Sequence, residues 1–224
     1  MRDRPPPAIE KVIRETEAFV RLRLAGDCTG HDWWHVSRVR RLALYLARAE
    51  GADPVKVELA ALLHDIEDHK FSGSKEAGAR AAQEWLSSKG LDSEMVDAVA
   101  SIVCGISFSN LDIDDVPLSV EGLCVRDADR LDALGAIGIA RAFAYGGATG
   151  QPIYAPPADG PPSDGGLAME KEADSSVSHF NTKLLHLRDR MSTRAGRALA
   201  TVRHDRLLRY LQEFHAEWNC DDVQ

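Results

Sequence analysis

Apolar positions recur at helical spacing almost from the start of the chain. Ile9, Val12, Ile13, Thr16 and Val20 share one face of a first helix, preceded by Pro5, Pro6 and Pro7. Val36, Val39, Leu42, Leu46 and Ala47 mark a second helix that ends near Gly51. Asp53-Pro54 is an N-cap followed by proline at the first helical position, and it opens a third helix through Val57, Ala60, Ala61 and His64. Ser74 is the predicted cap of a fourth, which carries Ala77, Ala81, Ala82 and Trp85 and closes at Gly90. Asp92 or Ser93 caps a fifth through Val96, Val99, Ala100 and Val103.

From Ser119 to about Ala144 the residues are apolar on nearly every face. That pattern predicts a central buried helix, or two helices with a break, in which Gly135 and Gly138 let a neighbour approach closely. Two further helices are expected over roughly 176–191 and 193–218. No run of β-branched residues alternates with polar ones, so the expected fold class is all-α, a helical bundle. Residues 146–175 break the pattern, being rich in Gly and Pro, without helical period and long for a loop in a compact domain. They are read as a flexible surface insertion, with a flap anchored by Tyr154 as the sharper alternative. Similar helical patterning resumes afterwards, so residues 1–224 are read as a single domain.

Composition narrows the function. The 224 residues are 44% hydrophobic and 28% charged, and a chain of this length buries enough surface to need no covalent staple. Cys28, Cys104, Cys124 and Cys220 are far apart and form no C-x-x-C pair, so they read as buried or incidental thiols. The N-terminus has no apolar h-region and no apolar run approaches the ~20 residues of a membrane span, so a cytoplasmic location without a membrane partner is expected. A formal charge of −8 argues against nucleic acid as a partner, and the most basic stretch, Arg188 to Arg206, is interrupted by Asp189 and Asp205. A small phosphorylated substrate is compatible with this charge when a bound metal supplies local positive charge. Oligomeric state is not legible, although an apolar strip on the last helix (Leu207, Leu211, Phe214, Trp218) can pack within or between chains.

Candidate chemistry lies where histidines and aspartates replace expected apolar residues. In GHDWWHVSRV, His35 shares the core stripe of the second helix; in VELAALLHDIED, His64 continues the stripe of the third, with Asp65 beside it. In CVRDADRLDALGAIG, Asp127, Asp129 and Asp132 enter the most apolar segment of the chain. A lone histidine on an apolar face is commonly a hydrogen-bonded core residue, and buried aspartates can pair with Arg38, Arg126 or Arg130. Taken together, however, three helices bring imidazoles and carboxylates into apolar surroundings. Unpaired charges there cost several kcal/mol, and one shared divalent cation resolves all three anomalies. Spacing alone does not separate Asp129 from Asp127 or Asp132. Two other dipeptides, His31-Asp32 and His204-Asp205, complicate a motif search: Asp32 reads equally as an N-cap, and His204-Asp205 as a solvated face.

The order H…HD…D resembles the HD-domain phosphohydrolases. It is similar more closely to the small bacterial nucleotide pyrophosphohydrolases of the YpgQ/YedJ type. The resemblance runs through GHDWWHVSRV, VELAALLHDIEDHKF, LSVEGLCVRDADRLDALGAIGIARAFAYGG, HFNTKLLHLRDRM and FHAEWN, spread over most of residues 25–218. The Gly/Pro-rich insertion is the chief departure. The resemblance implies an HD-domain helical bundle whose metal ligands are His35, His64, Asp65 and Asp129, the last by the match of A-D-x-L at Ala128 to Leu131. His69 is the only histidine between the doublet and that aspartate, whereas dinuclear relatives carry more, so one divalent cation is expected. Mn²⁺ is the first choice, and Mg²⁺, Co²⁺, Ni²⁺ and Fe²⁺ accept the same ligands.

Asp68 lies one turn after His64, so it is assigned with Asp65 to the catalytic group, as base or water-positioning residue. Arg38, Lys70, Lys75, His179 and Lys183 are the candidate phosphate contacts, each equally readable as solvated surface. Trp33, Phe71 and Tyr145 are candidate stacking partners for a base. The expected activity is hydrolysis of (deoxy)nucleoside triphosphates to monophosphate and pyrophosphate; the bond cleaved and the sugar preference come from the resemblance alone. The alternatives are a nucleotide monophosphatase, a phosphodiesterase, a (p)ppGpp hydrolase, or a non-catalytic metal- and nucleotide-binding module. Alarmone hydrolases of this type carry H-D-x-x-E-D; the sequence here is HDIEDH, with His69 at the last position.

Overall fold

A computed structural model of the chain describes residues 5–25, 32–66, 76–107, 117–156 and 175–223. Proline begins the first element as the sequence requires: Pro6 is the N-cap and Pro7 occupies the first position of α1 (Pro7–Arg23), which buries Val12, Ile13, Thr16 and Val20. Helix α2 (Trp33–Glu50) is capped by Asp32, whose carboxylate accepts the His35 amide, and ends at Gly51 with φ +73°. Asp53 accepts the amides of Val55 and Lys56 to open α3 (Pro54–Leu63). Then follow α4 (Ala77–Ser88), α5 (Ser93–Ser107), α6 (Val120–Asp132), α7 (Gly135–Thr149), α8 (Ser178–Thr182), two 3₁₀ turns (Leu184–His186 and Arg188–Arg190) and α9 (Arg194–Asn219). No strand occurs among the described residues, and the fold is all-α as expected. No helix among them is long and apolar enough to cross a membrane.

The chain divides into two compact units: residues 1–27, 31–129 and 192–196, and residues 28–30, 130–191 and 197–224. Helices α6 and α9 each contain a boundary between the units.

In the first unit α3 is the central element, in contact with α1, α2 and α5. Its composition explains this: Val57 and the run Leu59 to Leu63 are fully buried, leaving almost no polar face to present to water. Around it, Arg40 of α2 reaches Glu58 of α3 and Glu17 of α1. Trp85 of α4 stacks on Phe19 with ring centroids 3.9 Å apart, and its indole N–H donates to Thr16 Oγ1 at 2.9 Å. Helix α4 starts after Glu76; the expected cap, Ser74, lies outside the described residues. Asp92 caps α5 by accepting the Met95 amide.

In the second unit the long apolar stretch resolves into a break after Asp132, with Gly135 in the left-handed region at φ +70°. A Cβ on Gly138 would stand 2.2 Å from the carbonyl oxygen of Ala133, so this reversal closes only over glycine. Phe143, Phe180 and Tyr210 form a ring cluster that continues along α9 through Phe214 to Trp218. The apolar strip of the last helix therefore packs, in part, within the chain.

Three expectations change here. Residues 176–191 do not form one helix: α8 ends at Thr182, and the hydroxyls of Ser178 and Thr182 bond to the Ser175 and Ser178 carbonyls at 2.9 and 3.1 Å, contacts that compete with a continuous helix. Helix α7 continues through Thr149, four residues into the Gly/Pro-rich stretch, and stops at Gly150 with φ +73°. His204 is not on a solvated face; it is 7% exposed, although Asp205 beside it is exposed. Beyond α7, Tyr154 packs edge-on against Phe214, His215 and Trp218, while the Ser176 and Val177 amides bond to the carbonyls of Pro152 and Ile153.

Candidate metal centre

Each site residue is held by an ordinary local rule. His35 is the third residue of α2, and its amide is tied to the Asp32 cap at 2.9 Å, so the helix start fixes its position. Asp32 of the His31-Asp32 dipeptide thus serves as an N-cap. His64 is the C-cap of α3, and Asp65 stands in the turn that follows, closed by the Ile66 amide bonding to the Leu63 carbonyl. Asp129 projects from α6, two residues after the buried Asp127.

These groups converge. His35 Nε2 lies 3.3 Å from His64 Nε2, 3.5 Å from Asp65 Oδ2 and 3.4 Å from Asp129 Oδ1. His64 Nε2 is 3.9 Å from each of the same two carboxylate oxygens. The ligand atoms of His35, His64 and Asp129 all lie within 4.8 Å of one another, with Asp65 beside that trio. The two imidazoles are inside and the carboxylates face outward: the side chains are 0% and 2% exposed for the histidines, 16% for Asp65 and 36% for Asp129.

The chemistry of this donor set fits a divalent cation. His64 Nδ1 is 2.9 Å from the Ala61 carbonyl, which can only accept, so that nitrogen carries the proton and Nε2 turns a lone pair toward His35. Ligands about 2.1 Å from an octahedral ion stand roughly 3.0 Å apart when adjacent and roughly 4.2 Å when opposite. The observed separations of 3.3–3.9 Å fall between those limits. The backbone carbonyl that orients His64 is the usual outer support of a metal-binding imidazole.

The three aspartates of CVRDADRLD now have separate places. Asp127 is fully buried and accepts the amides of Ser192 and Thr193. Asp132 is 1% exposed and pairs with Arg141 at 2.9 Å. Only Asp129 joins the histidines. Asp127 at the head of α9 is the residue that sequence reasoning left without a role; the hydroxyl pair Ser192-Thr193 just before the last helix was the signal that its amides needed an acceptor.

The remaining candidates are dispersed. Arg38 is half-buried on α2, three residues after His35. His179 is half-buried within α8, and Lys183 is exposed at its C-cap, both in the second unit. The Lys183 amide bonds to the His179 carbonyl at 3.1 Å, and at φ −138° Lys183 ends the helix. Asp68, Lys70, Lys75, His69 and Phe71 lie outside the described residues. Trp33 packs beneath the Arg21 guanidinium at 5.1 Å, and Tyr145 is 41% exposed. Cys104, Cys124 and Cys220 are free thiols; burial first, then the carboxylates of Glu50, Asp127 and Glu121, push the Cys124 thiol up to about 12, an inert group at neutral pH.

Comparison with known proteins places this geometry. Residues 33–134, which contain all four converging side chains, match the HD domain family. YpgQ of Bacillus subtilis is 36% identical over 208 residues, covering 92% of this chain and 94% of YpgQ. The crystal structure of YpgQ in complex with ADP superposes with a TM-score of 0.74 over 94% of this chain and 96% of that one, at 36% identity. An HD-superfamily hydrolase from Bacillus thuringiensis is 39% identical, with a TM-score of 0.74 over 96% of this chain and 100% of that one. With the fold, the extent of the match and the clustered histidines and aspartates in agreement, this chain belongs to the HD-domain family.

Proposed function

We propose that this protein is a metal-dependent phosphohydrolase that converts (deoxy)nucleoside triphosphates to monophosphate and pyrophosphate. The observation that carries the reading is the convergence of His35, His64 and Asp129 ligand atoms within 4.8 Å, with Asp65 beside them. Those four residues would hold one divalent cation, Mn²⁺ first among Mg²⁺, Co²⁺, Ni²⁺ and Fe²⁺. When bound, such an ion supplies positive charge to a phosphoryl group and makes water a stronger acid. The ADP in the YpgQ complex and the hydrolase name of the B. thuringiensis relative support a nucleotide substrate and a hydrolytic reaction.

The chain's own residues supply the asymmetry the reaction needs. His35 and His64 form a floor closed to water, while Asp129, 36% exposed, opens the site on its carboxylate side. Asp65 sits on that side at 16% exposure, within reach of both imidazoles. Asp68 is the proposed base or water-positioning group. Arg38, Lys70, Lys75, His179 and Lys183 are the proposed phosphate contacts, the charge that a chain of net −8 must concentrate locally. The same reading takes residues 1–224 as a single HD domain with a cytoplasmic, small-molecule role.

Product analysis tests it. Chelator-stripped protein is reloaded with Mn²⁺, incubated with a panel of ribo- and deoxynucleoside triphosphates, and the products are separated by anion exchange beside an Asp65→Ala blank. Monophosphate plus pyrophosphate, absent from the blank, is the expected result. Diphosphate plus phosphate would overturn the assigned bond and keep a hydrolase. No turnover of triphosphates, monophosphates or (p)ppGpp, with nucleotide still bound, would replace the enzyme by a binding module.

A further inference from the structure

Asp127 is a carboxylate in the wrong place for solvent and the wrong place for the metal. It is 0% exposed, and its hydrogen bonds come from uncharged donors: the Ser192 amide at 3.0 Å to both oxygens, and the Thr193 amide and hydroxyl, each at 2.7 Å to Oδ2. The cradle is shaped around it. A Cβ on Gly196 would stand 2.5 Å from Thr193 Oγ1 and 2.6 Å from Asp127 Oδ2, so the first turn of α9 lies against the carboxylate closely enough that a side chain there would force the cradle to shift. Thr193 Oγ1 also accepts the Gly196 amide at 3.0 Å, so one hydroxyl caps α9 and donates to Asp127. Beside it, Arg126 Nη2 donates to Ser192 Oγ at 2.7 Å. Residues 192–196 are the one part of the C-terminal third that belongs to the first unit.

Helical geometry links this cradle to the site. Asp127 and Asp129 are two residues apart on α6, so their side chains leave the helix about 200° apart. A carboxylate locked on one side of α6 therefore fixes the rotation of the helix that points Asp129 at His35 on the other. We infer that Asp127 is a positioning residue: by holding the Ser192-Thr193 amides it sets the rotation of α6 and so aims Asp129 into the metal centre. The inference rests on the metal reading above and adds to it a residue that touches neither ion nor substrate. Outer supports of metal ligands typically alter affinity by about 10- to 100-fold, which sets the scale expected here.

The test reads metal affinity, not turnover. Mn²⁺ dissociation constants of chelator-stripped full-length protein are measured by calorimetry for wild type, Asp127→Asn, Thr193→Val, Thr193→Ser and Thr16→Val, with melting temperatures recorded in chelator. Thr16→Val removes a buried hydroxyl bond to Trp85 that takes no part in the Asp127 cradle, and it controls for general loss of stability. Asp127→Asn is expected to weaken Mn²⁺ binding about 10-fold or more. Thr193→Val, which perturbs the cradle from the other side and covers the case in which Asp127→Asn does not fold, should weaken it at least about 3-fold. Thr193→Ser, which keeps the hydroxyl, should restore wild-type affinity, and Thr16→Val should melt earlier yet bind Mn²⁺ within about twofold of wild type. Folded Asp127→Asn or Thr193→Val with unchanged affinity would overturn the positioning role and leave the metal centre standing, as would equal weakening by Thr16→Val. Wild-type protein that binds no Mn²⁺ would overturn the metal reading and this assignment with it.

Discussion

Replacing Asp129 by asparagine should raise stability in chelator and lower it in Mn²⁺, a crossing that a purely structural role for this carboxylate would not produce. Asp65 Oδ2 and Asp129 Oδ1 stand 3.5 and 3.4 Å from the same imidazole nitrogen, so the two carboxylates are within about 7 Å of each other. At an effective dielectric constant of ~20 two like charges at that distance repel by about 2 kcal/mol. Solvent at Asp129, whose side chain is 36% exposed, screens this to roughly 1 kcal/mol. For a chain of this size 1 kcal/mol corresponds to about 2–4 °C in melting temperature. Asp129→Asn should therefore melt a few degrees above wild type in chelator at pH 8, above the ordinary imidazole range. With Mn²⁺ at ~100 times its dissociation constant, wild type gains about 2.7 kcal/mol, or roughly 6–10 °C, and the variant gains little. Differential scanning calorimetry with and without 1,10-phenanthroline and EDTA measures both arms. Equal Mn²⁺ shifts in the two proteins would refute the ligand assignment. An Asp129→Asn protein that melts below wild type in chelator would refute the electrostatic argument.

Other perturbations separate the neighbouring aspartates and the fold around them. Asp132→Asn, which breaks a nearly buried pair with Arg141, should destabilise by about 2–4 kcal/mol in urea titration and leave the Mn²⁺ dissociation constant within about twofold; a large loss of metal affinity would mean that Asp132 belongs to the site. Gly138→Ala, with its new methyl 2.2 Å from the Ala133 carbonyl, should lower the urea midpoint by an amount worth about 1–3 kcal/mol or more, and an unchanged midpoint would show that the α6–α7 reversal relaxes freely. His204 is 7% exposed, its Nδ1 lacks a hydrogen-bond partner among the described residues, and burial, then the Arg188 guanidinium, hold its imidazole below the usual value against the opposing pull of Asp205 and Asp189. The unfolded chain then takes up this proton more readily than the folded one, so stability falls as pH drops below about 6.5. His204→Gln should lose less melting temperature than wild type between pH 7.5 and 5.5; identical slopes would remove His204 as a contributor.

Much of the fold was legible because it depends on local rules. The stripe at Val12, Ile13, Thr16 and Val20, the Asp53-Pro54 start and the Gly51 stop are each decided within one or two turns, where periodicity and capping act directly. The cluster of His35, His64 and an aspartate was legible for a different reason, since titratable groups on apolar stripes announce that something must compensate their burial. The break-up of residues 176–191 was not legible, because the hydroxyls of Ser178 and Thr182 favour turns only where the surrounding packing lets them bond the backbone.

Sequence spacing put three aspartates on one helix and could not rank them, because residues 127, 129 and 132 differ only in the direction they leave α6. What separates them comes from outside α6: Ser192 and Thr193 claim Asp127, Arg141 of the next helix claims Asp132, and the two histidines from α2 and α3 face Asp129. The linear order carries each residue's chemistry and the helix it rides on, since both are properties of a few neighbouring residues. The partner that each carboxylate meets depends on how helices far apart in sequence are rotated against one another, and that rotation exists only once they pack.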